Sequence, residues 1–149
     1  MKGRRWFFTL YCAVMLWLLF GQRIGFVLWE DYRQQLLDNL NLQPFDTIGR
    51  YFWVLQNSEQ RSALTHAFVN LAGNVAMFIP LGYFLPRLWH GQKRFWVFFV
   101  TVLGLILAVE LVQLVTLLGK CDVDDVLLNL TGAVLGFLFH GVLTKFSKN

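Results

Sequence analysis

Charge is scarce in this chain: Asp, Glu, Lys and Arg together make up 15% of its 149 residues, against 56% hydrophobic ones. That scarcity excludes a soluble globule. A domain of this size folded in water would expose apolar area well beyond the roughly few hundred Å² normally tolerated. With a mean hydropathy of +0.51, lipid is the expected main solvent. Cysteine is nearly absent, with Cys12 inside an apolar run and Cys121 in a short loop. This excludes a disulfide framework, and neither thiol needs a redox role. There is no Gly-rich phosphate loop, no zinc-spaced Cys/His set and no catalytic triad. Ser58 and Ser62 sit in a loop without a nucleophile elbow, and Ser147 is in the tail. The formal charge of +4 comes from Lys and Arg scattered as short flanks, with no basic patch interleaved with stacking aromatics. A nucleic-acid partner is therefore excluded.

What the chain does have is apolar runs of membrane-spanning length, in one membrane domain covering 1–149 without repeats. Spans are expected at about 6–21, 64–88, 95–118 and 126–143, each close to the ~20 residues a spanning helix needs. The fold class is all-α: a small integral membrane helical bundle of about four transmembrane helices. The first run follows Lys2, Arg4 and Arg5 as a signal peptide would. It lacks a small-x-small cleavage site, so it reads as a retained signal anchor.

Orientation follows from the basic residues, which are retained in the cytoplasm. Lys2, Arg4 and Arg5 precede the first run, Arg87, Lys93 and Arg94 join the second to the third, and Lys145 and Lys148 follow the fourth. Eight of the 13 basic residues thus fall on one side, with no acid among them. Both termini are expected to be cytoplasmic and the long connection 22–63 extracytoplasmic, in a bacterial-type cytoplasmic membrane. Within that connection, Trp29 to Leu40 places Leu36, Leu37 and Leu40 at helical spacing, which predicts a short amphipathic helix at the lipid surface. Pro44 marks a turn, followed by an aromatic cluster that could fold back over the bundle.

Polar side chains inside hydrocarbon are expensive, so each should face the bundle interior and have a partner. At 1.5 Å rise per residue, Asn70 and Asn74 lie roughly 8 and 14 Å below the outer end of the second span. Gln113 and Glu110 lie about 8 and 12 Å below that surface in the third, and Asn129 about 6 Å below it in the fourth. Spacings of i, i+4 and i, i+3 put the first two pairs each on one helix face. Asp122, Asp124 and Asp125 lie at the mouth above them, where a helix N-terminus favours carboxylates. Amides and small residues such as Gly73, Gly132 and Gly136 can simply join helices, and Asp can simply cap. Glu110 fits that bland account poorly, because no Lys or Arg lies within the spans to pair with it. The ensemble predicts a wet, outward-facing pocket lined by Asn70, Asn74, Glu110, Gln113, Asp122, Asp124, Asp125 and Asn129. Glu110 is the candidate acid or base, and the three Asp residues are candidate ligands for a divalent cation. His140, with no second ligand in view, reads as a core histidine.

Three blocks carry a resemblance: Asn70 to Pro86 (NLAGNVAMFIPLGYFLP), Glu110-Leu-Val-Gln113, and Asp122 to Gly132 (DVDDVLLNLTG) with Gly136. Together with Asn41-Leu-Gln-Pro-Phe-Asp-Thr-Ile, they resemble the VanZ-like family from about Asn41 to Phe139. Relatives commonly carry an arginine and an aromatic just before the first Asp, where this chain has Lys120 and Cys121. The founding member is associated with low-level resistance to the glycopeptide teicoplanin, and no reaction is established for the family. Resistance to an agent that acts outside the membrane agrees with the outward pocket, and the leading reading is an envelope protein whose pocket binds or processes a lipid-linked or wall-associated molecule, with membrane lipid as its surroundings. Two readings from other classes stand beside it. A small transporter or channel subunit would need a polar path through the mostly apolar inner halves of the second and third spans. A structural assembly partner would leave Glu110 unexplained.

Overall fold

The computed structural model describes residues 2–21 and 31–146. Among the described residues the fold is all-α, its helices joined by short loops and one two-residue bridge. Helix α1 (Lys2–Leu16) runs on into a π-helical turn, Trp17–Gly21. A short α2 (Tyr32–Asp38) follows, then strand β1 (Leu40–Asn41) and helix α3 (Asp46–Asn57). The long helices are α4 (Arg61–Leu88), α5 (Phe95–Val115) and α6 (Val123–Phe146), with strand β2 (Cys121–Asp122) directly before α6.

Among the described residues three helices, α4, α5 and α6, are long and apolar enough to cross a membrane, and the apolar stretch Arg5–Gly21, spanning α1 and its π-helical turn, is shorter. At 28 residues α4 is about 42 Å long, exceeding a hydrocarbon core of about 30 Å. Pro80 and Pro86 lie inside it. Proline is tolerated in such a helix when neighbours satisfy the freed backbone groups.

Several helix limits differ from the expected spans: α4 begins at Arg61 and α6 ends at Phe146, each three residues beyond the apolar run, and two others shape the site. The third run was expected to reach 118, but α5 stops at Val115 and Leu117 takes a left-handed φ of 55°, turning the chain out of the helix. Leucine carries no local signal for that conformation, which normally costs a non-glycine residue about 1–2 kcal/mol. The fourth was expected from 126, but α6 starts at Val123 because the Asp122 carboxylate accepts the Asp124 N–H at 2.9 Å, as a capping residue does. The amphipathic segment materialises as Tyr32–Asp38, while Trp29 and Glu30 lie outside the described residues.

The core sits where α4, α5 and α6 meet. On α5 the buried positions are Phe98, Val102, Ile106, Glu110 and Gln113, a single stripe at three- and four-residue steps. Its first three members join Phe78, Leu81, Leu85 and Ala133 in an apolar cluster, and its last two carry the polar chemistry. Helices α4 and α6 approach through glycine. A Cβ on Gly132 would lie 2.0 Å from the Val75 carbonyl oxygen, one on Gly136 2.0 Å from that of Ile79, and one on Gly82 1.9 Å from that of Ala133. Gly73, expected to join this stripe, has only the Val69 side chain at 4.0 Å and takes no part in it.

Helix α1 is held by side chains. The Tyr11 hydroxyl donates to the Met77 carbonyl at 2.7 Å, and Phe8 sets its ring edge-on to Trp89 with centroids 5.5 Å apart. Tyr83 of α4 meets His140 of α6 edge-on, and Phe95 and Phe98 of α5 meet Phe137 of α6. These ring contacts bring the start of α1, the end of α4, the start of α5 and the end of α6 to one end of the bundle. That end carries Arg5, Arg87, Lys93, Arg94 and Lys145.

Candidate functional site

At the other end, the connection before α4 folds back over the bundle. Leu40 and Asn41 pair in parallel with Cys121 and Asp122, and the Cys121 N–H donates to the Asn39 carbonyl at 2.8 Å. Pro44 stands in a turn as expected, and Phe45 adopts a left-handed φ of 66°. That conformation aims the backbone N–H groups of Phe45 and Ile48 toward α6. They donate to the two carboxylate oxygens of Asp124 at 2.6 and 3.0 Å. Asp124 is completely buried. Helix α3 has no cap from its own preceding side chain, so a residue of α6 caps it across the fold.

Asp122 is the hub of the second layer. One carboxylate oxygen accepts from the Thr47 hydroxyl at 2.5 Å and the Asn41 amide at 3.1 Å, and the other holds the Asp124 N–H. Its own N–H donates to Glu110 at 3.3 Å. Glu110 is buried as expected, and it lies behind Asp122. Asp125 accepts from Asn74 at 2.5 Å, and Asn74 also reaches Asn70 at 3.4 Å. Asn129 is buried, and its Oδ1 has no partner among the described residues. Gln113 goes elsewhere: its amide donates to the Leu19 carbonyl at 3.0 Å, satisfying the irregular end of α1 and tying it to α5.

Above this layer lies a cavity of about 730 Å³ between the fold-back segment and the α5–α6 loop. Of the expected pocket residues, Asn70, Asp122 and Asp125 line it; Asn74, Glu110 and Asp124 support it from below; Gln113 and Asn129 do not line it. The rest of the wall comes from Asp38 to Asn41, from Asp46, Thr47, Arg50, Tyr51 and His66, and from the loop Leu117 to Lys120. Arg50 pairs with Asp46 at 3.1 Å and donates to Thr47 at 3.0 Å. His66 and Tyr51 stand with ring centroids 5.8 Å apart. Arg50 and His66 carried no role in the sequence, Arg50 lying in a connection read as interfacial and His66 near the outer end of the second apolar run, while Thr47 and Lys120 stood out only through the family resemblance. The signal was the Asn41 to Ile48 segment, whose side chains and backbone meet Asp122 and Asp124.

The three Asp carboxylates, expected as a cation site, diverge. Each is turned to separate N–H or O–H donors, and among the described residues no group of three His, Cys, Asp or Glu side chains could hold a metal ion. Cys121 beside them has its thiol pushed above the ordinary range, first by burial and then by the nearby charges of Glu110 and Asp122.

Long apolar helices, closed at one end by a polar cavity under a folded-back helix, define an all-α membrane helical bundle. The VanZ/LLP1 family profile matches residues 7–144, and the chain belongs to that family. It is 29% identical over 138 residues to Protein VanZ of Enterococcus faecium, an overlap of 92% of this chain and 73% of that protein. No solved structure matches it significantly.

Proposed function

We propose that the polar cavity faces the outside of a bacterial cytoplasmic membrane and binds the polar part of a lipid-linked or wall-associated molecule, altering susceptibility to teicoplanin. The observation that carries this reading is the 730 Å³ cavity itself, with Arg50, His66 and Lys120 set among the carboxylates of Asp46, Asp122 and Asp125. Such a mixture suits a ligand bearing both an anionic group and hydrogen-bonding hydroxyls or amides. The concentration of basic residues at the opposite end of the bundle supports this orientation through the positive-inside rule. An enzymatic version uses Glu110, whose carboxylate accepts the Asp122 backbone N–H behind the wall, as the acid or base.

Conduction fits less well. Directly inward from the site, Phe78, Phe98, Val102 and Ile106 are essentially without exposed surface, so the cavity ends on closed apolar packing.

Native mass spectrometry of protein extracted from bacterial membranes is the test. A co-bound lipid-linked saccharide or peptide is expected on the parent and should be lost from the Arg50→Gln, Lys120→Gln double variant. Parent protein carrying phospholipid and detergent alone would count against the reading.

A further inference from the structure

Two recesses adjoin at the basic end of the bundle, away from the polar cavity. One, of about 500 Å³, lies between α1, α4 and α5 and is walled mainly by Met15, Leu16, Phe78, Leu85, Leu105 and Val109. The other, of about 460 Å³, is lined by Arg5, Phe8, Thr9, Leu88 and Trp89. Phe8 and Trp89 belong to both and touch each other, so the two recesses adjoin across this ring pair as an amphipathic groove, mainly apolar along its length and cationic at its end.

The dimensions match a lipid leaflet. Along α5 the groove runs from Thr101 to Val109, about 12 Å at helical rise, against about 15 Å for half a hydrocarbon core. Its cationic end is where an interfacial Trp and an Arg meet a headgroup. Arg87, the neighbouring cation on α4, is already engaged by the Tyr83 hydroxyl and ring. Among the described residues, Arg5 is the cation that lines the groove. The groove wall also holds an acceptor short of a donor: Gln92 gives its amide to Thr101, and its buried Oε1 has no partner among the described residues.

We infer that this groove is a binding site for an anionic glycerophospholipid, one acyl chain lying between α1 and α5 and the phosphate seated on Arg5. The occupant is a lipid because the cation sits at the groove's membrane-surface end and the remainder of the wall is apolar. A second protein copy would leave Arg5 without an anion. The site is separate from the outward cavity, and its test does not depend on that cavity's ligand.

The experiment is native mass spectrometry of the detergent-solubilised full chain, given equal amounts of palmitoyl-oleoyl phosphatidylglycerol and phosphatidylcholine. A preference of roughly fivefold for phosphatidylglycerol is expected, the worth of one arginine near the surface. Arg5→Gln should bring the two lipids to parity. Leu105→Trp and Leu16→Trp, which fill the groove from opposite walls at exposed positions, should each lower occupancy by both lipids while thermal unfolding stays at the parental temperature. Parity in the parent, a preference that survives Arg5→Gln, or unchanged occupancy in whichever filling variant folds would overturn the site. A dimer cross-linked through position 105 would overturn it as well.

Discussion

The carboxylate of Asp124 takes two backbone N–H groups from a helix start that lies 76 and 79 residues away in sequence. A buried carboxylate is costly unless its lone pairs are occupied, and here both oxygens are. Asp124→Asn keeps the volume but must point an N–H at another N–H, leaving one buried donor unsatisfied. Thermal unfolding in detergent should show a loss of roughly 3 kcal/mol, whereas Glu59→Gln in the exposed connection before α4 should stay within about 0.5 kcal/mol. An unchanged melting temperature for Asp124→Asn would remove the cross-fold cap. The sequence exposed this residue's cost and general position, since Asp122, Asp124 and Asp125 stand at a helix start. It did not reveal their partners, because those are main-chain groups presented by a left-handed Phe45, which no side-chain pattern encodes.

At the scale of elements, glycine on one face of α6 sets how closely α4 can approach. Gly136→Ala would drive a methyl into the Ile79 carbonyl and against the Tyr83 backbone, neither of which can rotate away. The two helices must separate, at about 1–3 kcal/mol. Gly104→Ala on α5, where nothing lies within 4 Å, should be neutral or stabilising by up to about 1 kcal/mol through helix propensity. Equal melting temperatures for the two variants would contradict this account of the α4–α6 contact. The helices themselves were legible, because length and hydropathy fix a spanning segment almost without reference to partners. The ends of α5 and α6 were not. Thr116, Leu117 and Leu118 read as apolar continuation but form the loop that walls the cavity. Gln113 also read as a pocket residue by depth and face, yet its partner is a carbonyl of α1, an element whose position the pattern did not supply.

For the whole molecule, charge asymmetry predicts one orientation, with the cavity outside and both termini inside. Single cysteines replacing Ser58 and Lys145 should react with a membrane-impermeant maleimide from opposite sides of intact cells. Cys121 should add little background, since its half-buried thiol is held protonated above its ordinary range and ionises only as pH rises further. Labelling of both introduced positions from the same side would refute the topology. The bundle and its polar end followed from composition and depth. The roof over the cavity did not, because α3 is placed by hydrogen bonds to residues 122 and 124 and not by any periodicity of its own.

The central claim is that this roofed polar cavity, with Glu110 behind it, carries the function. Growth in graded teicoplanin tests it most directly, using a susceptible host that expresses the parent, Glu110→Gln, or the Arg50→Gln, Lys120→Gln pair. Glu110→Gln keeps an acceptor for the Asp122 N–H but removes the ionisable group, and the paired change removes cavity charge at exposed side chains. The account predicts raised tolerance from the parent and vector-level tolerance from both variants, at equal amounts of folded protein in the membrane. Parental tolerance retained by both variants, or a parent no different from empty vector, would contradict it.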